Sequence, residues 1–165
     1  MARLFEGGVA DSGAMEALGE RLAGVLRRGD LLVLTGPLGA GKTTLTRGIG
    51  RGLGVRGPVA SPTFVLARTH PSLRPDGPPL VHVDAYRLGS AAELDDLDID
   101  FEGSVVVVEW GAGMLDGIAD SWLDVRIERP VGGEVEQDPD DFGDEPRRVV
   151  VEAHGPRWAG VALDA

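Results

Sequence analysis

Eight residues, Gly36-Pro37-Leu38-Gly39-Ala40-Gly41-Lys42-Thr43, carry the types and the spacing from which phosphate chemistry can be built. They fit GxxxxGK[ST], in which a glycine-rich turn joins a strand to a helix. Each residue type has a physical reason. Gly36, Gly39 and Gly41 let the backbone curl until successive N–H groups face one point, which makes an anion nest. A helix starting near Lys42 adds its unsatisfied first-turn N–H groups and the positive end of its dipole. Lys42 would reach the outer phosphates, and the Thr43 hydroxyl would ligate Mg²⁺. A glycine turn without a ligand is the competing reading, since 25 of the 165 residues are glycine. The basic residues weigh against it: Lys42 is the only lysine among the 16 Lys and Arg residues. A compact ammonium suits a point-charge phosphate contact in a tight loop better than a planar guanidinium does. The stretch reads as a nucleotide site.

Two acids downstream could complete it. Val81 and Val83 alternate along Leu80-Val81-His82-Val83-Asp84, which puts Asp84 at the C-terminal end of a strand. Ligands of open α/β sheets sit at such ends, so Asp84 could hold Mg²⁺ directly or through water; a turn or capping aspartate is the plainer alternative. Val105-Val106-Val107-Val108 is a β-branched run without alternation, as in a strand covered on both faces, and it ends at Glu109-Trp110. Four apolar residues and then an acid form the Walker-B pattern, whose carboxylate completes the Mg²⁺ shell or orients the attacking water. Trp110 could cover the nucleotide, mark a partner surface or simply fill the core. Ser61-Pro62-Thr63-Phe64 lies where nucleotide switches keep a hydroxyl that senses the terminal phosphate. Ser and Thr beside Pro are also ordinary turn residues.

The elements that must position these groups follow from periodicity. Met15, Leu18, Leu22, Val25 and Leu26 recur at helical spacing after Asp11 or Ser12, either one a plausible N-cap, and Arg27-Arg28-Gly29 supplies stop signals. A buried strand is expected over Leu31–Leu34, then the phosphate loop, then a helix from Lys42 to about Leu53. Arg47 and Arg51 lie one turn apart on that helix and read as a solvated face rather than a phosphate contact. An extended segment, Phe64–Thr69, and a proline-rich hairpin loop lead to the Asp84 strand. Ser90-Ala91-Ala92-Glu93 is a capping box that opens a short helix, and a second helical stretch surrounds Met114 to Ile118. Two late strands, Trp122–Glu128 and Arg147–Ala153, form an antiparallel pair that extends one edge of the sheet. The expected fold is α/β: a P-loop NTPase-like three-layer sandwich, its central sheet mostly parallel with additional antiparallel edge strands.

Length and composition bound the rest. At 165 residues the chain reads as one domain, with a mobile acidic loop at about 130–146. Glu134, Glu136, Asp138, Asp140, Asp141, Asp144 and Glu145 supply seven of the eleven excess negative charges there. A net charge of −11 argues against independent binding of bare nucleic acid through a basic face. Zero cysteine excludes disulfides, thiolate metal sites and a cysteine nucleophile. No apolar run approaches the roughly 18 residues of a membrane span, and the start lacks a signal-peptide core, so a cytoplasmic protein is expected.

Taken in order, Gly36–Thr44, Ser61-Pro62-Thr63-Phe64, His82-Val83-Asp84-Ala85-Tyr86-Arg87-Leu88 and Glu109-Trp110 resemble the motifs of the TsaE (YjeE) family. The phosphate loop alone would not separate this family from many others; the HxDxYRL and EW pair in that order is much more specific. The resemblance runs from the first helix to His154-Gly155-Pro156. It implies the ATPase subunit of bacterial tRNA threonylcarbamoyladenosine synthesis, acting on position 37 with a TsaB–TsaD complex and meeting tRNA only through that complex. It further implies that Leu38, Gly39, Ala40, Gly41, Lys42, Thr43 and Thr44 cradle the phosphates of ATP. Thr43 and Glu109 would ligate Mg²⁺, with Asp84 assisting the metal or the water. Thr63 would sit in the switch-like segment, Trp110 near nucleotide or partner, and Ser12 close to the adenine. The acidic excursion at Pro130–Pro146 matches no motif of the family.

Three other functions compete. A GTPase needs an asparagine and a second lysine for guanine, and the chain has neither. A small-molecule or nucleotide kinase with a P-loop needs a second substrate pocket and usually an arginine-bearing lid, whereas the long insertion here is acidic and would repel phosphates. A nucleotide-gated binding module would use ATP only to order Ser61–Phe64.

Overall fold

A computed structural model describes residues 2–36, 41–55, 67–84, 99–109, 120–128, 146–161 and 163. Among the described residues seven strands form one sheet: β1 (Ala2–Val9), β2 (Leu31–Thr35), β3 (Ala67–His70), β4 (Leu80–Asp84), β5 (Val105–Glu109), β6 (Trp122–Glu128) and β7 (Arg147–His154). Their spatial order is β1-β7-β6-β2-β5-β4-β3. The four central strands β6, β2, β5 and β4 run parallel; β3 on one side and β7 on the other are antiparallel to them, and β1 in turn pairs antiparallel with β7. The expected mostly parallel sheet with antiparallel edges is therefore what forms. Strand β1 is an addition, absent from the expectations. The helical stretches expected after Ser90 and around Met114, and the acidic loop except Pro146, lie outside the described residues.

All five residues of β5 are buried, as a β-branched run covered on both faces requires. Alternate side chains of the parallel strands enter two apolar clusters. One holds Leu32, Leu34, Leu80, Val105 and Val107 against α1 (Ser12–Ala23) and α2 (Lys42–Leu53). The other, on the opposite face, holds Leu31, Val33, Val81, Val83, Val106 and Val108, with Ile99 and Phe101 packed on it.

The two helices lie on the same face and touch almost backbone to backbone. A methyl group at Gly48 would fall 2.1 Å from the Glu16 carbonyl oxygen, and one at Gly52 2.5 Å from the Ala23 methyl. These glycines each cost roughly 1 kcal/mol of helix propensity relative to alanine. Close packing against α1 is what holds so glycine-rich a helix together. Arg51 reaches Glu16 at 3.1 Å and Glu20 at 3.3 Å, so the charged stripe of α2 is bound to α1 across the crossing. Contacts advance in the same direction along both helices, from Glu16 against Gly48 to Glu20 against Gly52. The helices are therefore parallel, and both N-termini point to one end of the sheet.

That orientation is secured at the opposite end. Asp30, buried just before β2, receives Arg157 Nε at 2.9 Å and Nη2 at 3.0 Å, and the same guanidinium reaches the Val25 carbonyl at 2.7 Å. Trp158, in the short 3₁₀ turn Pro156–Trp158, packs into the core beneath it with the guanidinium carbon 4.2 Å above its ring.

Candidate functional site

Because β2, β4 and β5 are parallel, their last residues (Thr35, Asp84 and Glu109) finish at one edge of the sheet. Register pairs Leu34 of β2 with Glu109 of β5, and Glu109 with Asp84 of β4. Helix α2 starts at this edge. Its N-cap is Gly41, with φ 110° and ψ 17°, in the left-handed region that a side chain disfavours. Gly41 offers no side-chain acceptor to the first-turn N–H groups, the kind of helix start at which anions bind.

The motif residues behind that cap are well placed. Lys42, Thr43 and Thr44 are all buried in the first turn of α2. The Lys42 ammonium donates to the Gly36 carbonyl at 2.6 Å, closing the two ends of the phosphate-loop motif on each other. Ser12 is the first residue of α1, and Asp11 rather than Ser12 is the cap, accepting from the Ala14 N–H at 2.8 Å. With α1 parallel to α2, Ser12 lies at the same end of the molecule as Lys42. Leu38, Gly39, Ala40, Thr63 and Trp110 lie outside the described residues, as does the side chain of Asp84.

Glu109 is buried at the tip of β5, and its Oε2 lies 2.6 Å from Nε2 of His82. His82 is wholly buried, two residues before Asp84 on β4. Glu109 was an expected site residue, whereas His82 was given no role. The signal was present, since His82 and Asp84 share a strand period, but only adjacency of β4 and β5 turns it into a contact.

A hard cation fits this donor set. The Thr43 hydroxyl and the Glu109 carboxylate offer oxygens, and Mg²⁺ characteristically combines one or two carboxylates with substrate phosphates. A rival depression of about 280 Å³ lies at the other end of the sheet, between Arg27, Arg28, Asp30, Asp120, Ser121 and Arg157. Two of its arginines are committed to the fold. Arg157 holds Asp30, and Arg28 donates to the carbonyls of Gly103, Asp76 and Gly77.

Comparison with known proteins identifies a family. The family described as "Threonylcarbamoyl adenosine biosynthesis protein TsaE" matches residues 9–135. The protein of that name from Streptomyces coelicolor is 58% identical over 148 residues, which span 88% of this chain and 94% of the relative. Its namesake from Mycobacterium tuberculosis H37Rv is 52% identical over 139 residues, 78% of this chain and 83% of the relative. A crystal structure of YdiB from Bacillus subtilis superposes with a TM-score of 0.70 at 30% identity, covering 96% of this chain and 91% of that one.

Proposed function

The chain belongs to the TsaE family of tRNA threonylcarbamoyladenosine biosynthesis proteins, and from that membership we propose that it is a Mg²⁺-dependent ATPase acting with a TsaB–TsaD complex in the modification of tRNA position 37. Family membership brings tRNA processing and nucleotide binding; ATP, the ion, hydrolysis, the named partners and a cytoplasmic setting belong to our reading. The observation that supports it best is one of placement. Lys42 and Thr43 open α2 at the edge of the sheet where the adjacent strand tip carries a buried acid, Glu109.

In this reading the first-turn N–H groups of α2 and the Lys42 ammonium grip the β- and γ-phosphates and offset the charge that develops on them. Glu109 orients a water molecule in line with the γ-phosphorus. The new P–O bond forms as the β,γ-bridging oxygen leaves with its electron pair, giving ADP and inorganic phosphate. Thr43, Glu109 and (directly or through water) Asp84 would hold Mg²⁺, which would supply positive charge to neutralise the phosphates. Water, not a second substrate, is the acceptor.

Phosphate release from ATP, followed with no acceptor present, tests this. Turnover is expected to be slow for the chain alone and to rise when TsaB and TsaD are added. Lys42→Ala and Glu109→Ala should each lose nearly all of it. Wild-type rates in either variant would refute the role given to that residue. Turnover that appears only with a phosphoryl acceptor would make the protein a kinase instead.

A further inference from the structure

We propose that His82 is a positioning residue for Glu109: its imidazole holds one carboxylate oxygen from inside the core, so that the other is presented to the ion and the attacking water. The inference rests on the reading of Glu109 given above. Three observations carry it. The Nε2 to Oε2 distance is 2.6 Å, His82 is entirely buried, and the Glu109 side chain is only 7% exposed. An ionised carboxylate can only accept, so Nε2 carries the shared proton.

The other ring nitrogen makes the case sharper. Nδ1 of His82 is buried without a hydrogen-bond partner among the described residues. Leaving such a group unpaired costs roughly 1–3 kcal/mol. An aliphatic residue would fill the position at lower cost, since Leu80 and Val107 on the same face belong to the apolar cluster. Apolar packing therefore gives no reason for an imidazole at position 82; what it does there is pair the buried Glu109 carboxylate. That pairing also orients the carboxylate. The terminal torsion of a glutamate is broad and roughly two-fold, so a carboxylate at a strand tip needs an external hydrogen bond to fix which oxygen points where. Outer-shell hydrogen bonds of this kind typically change metal affinity or activity 10–100-fold.

The test titrates Mg²⁺ against a non-hydrolysable ATP analogue by calorimetry and measures analogue binding in EDTA alongside. His82→Leu should raise the Mg²⁺ concentration needed for half-saturation by roughly tenfold and leave the metal-free affinity unchanged. His82→Gln, which restores an N–H donor at the same reach, should recover most of the difference. An unchanged Mg²⁺ requirement in His82→Leu, or an equal loss with and without metal, would overturn the proposal. Nitrogen-resolved NMR of the wild-type protein gives an answer even if the leucine variant does not fold. His82 should be the Nε2–H tautomer, and an Nδ1–H tautomer would refute the contact. Should the wild-type chain bind the analogue indifferently to Mg²⁺, the reading of the whole site fails and the orienting role with it, whichever tautomer NMR finds.

Discussion

The parallel half of the sheet and its antiparallel flank solve the same burial problem in opposite ways. Strands β2, β5 and β4 are covered on both faces, so apolar residues fill nearly every position and polar groups collect at the tips, where Thr35, Asp84 and Glu109 lie. His82 is the exception, and it faces Glu109. Strand β6, parallel to β2 but antiparallel to β7, opens the flank: it keeps only one apolar face, with Leu123, Val125 and Ile127 inward, and carries charge along its length. Those charges pair within the flank: Arg126 with Glu152, and Arg148 with Glu6 and Glu128. The candidate site thus lies at the strand tips of one half, and the paired surface charges lie on the other. The two should respond separately to mutation.

A methyl group added on either side gives the largest contrast. At Gly48 it would strike the Glu16 carbonyl at 2.1 Å, and backbone cannot yield as a side chain can. Overpacking of this kind costs about 1–3 kcal/mol or more, against roughly 1 kcal/mol gained in helix propensity, so Gly48→Ala should lose on the order of 2 kcal/mol. Because α1 and α2 meet there, nucleotide affinity should fall as well. At Gly8 of β1 the nearest atom to such a methyl is the Arg147 carbonyl oxygen at 3.9 Å, an ordinary contact. Gly8→Ala should leave both the urea midpoint and nucleotide binding where they are. Equal losses in the two variants would show that the halves are not separable.

The flank's ion pairs come next. Arg148 is about half exposed and serves Glu6 on β1 and Glu128 on β6. Pairs in that setting contribute about 0–1 kcal/mol, and salt weakens them further. Arg148→Ala should therefore lower the urea midpoint slightly at low salt and hardly at all at high salt. Nucleotide binding should not change. A loss of several kcal/mol that persists in salt would mean that Arg148 anchors β1 by packing rather than by charge.

The same division explains what could be read from the sequence. Apolar runs and the phosphate-loop pattern located β2, α2, β4 and β5 to within a residue or so, because burial on both faces leaves little freedom of composition. The late strand candidates Trp122–Glu128 and Arg147–Ala153 likewise match β6 and β7 to within a residue. Strand β1 escaped because Ala2–Val9 contains adjacent glycines and no clean alternation, and it pairs with β7 at the far end of the chain, with an irregularity between Arg3 and Phe5. The site shows the same limit. Lys42, Thr43 and Glu109 were legible from local pattern, whereas the His82–Glu109 contact depends on β4 lying beside β5. Strand order is not written in any one stretch of residues. The parallel setting of α1, which brings Ser12 to the motif edge, likewise follows from the Gly48 crossing and not from helical periodicity.

The smallest predicted effect is also the most specific to the flank. Burial, more than any neighbour, raises the pKa of Asp124 on β6 above its usual 3.8; Arg126 and His154 pull it back, and Glu152 adds to the rise. A raised value means that the folded chain holds this proton more tightly than the unfolded one. The corresponding stability is fully present below about pH 4, the ordinary aspartate range, and is lost as pH rises through the folded-state value. At neutral pH the ionised carboxylate is then a small net cost, softened by the water that reaches this half-buried position. Asp124→Asn keeps the shape and removes the charge. Its urea midpoint should exceed that of the wild-type chain at pH 7 and converge with it as pH falls below 4. If the asparagine variant is instead the less stable of the two at pH 7, attraction to Arg126 and His154 outweighs burial, and the charges of the flank are worth more than their exposure suggests.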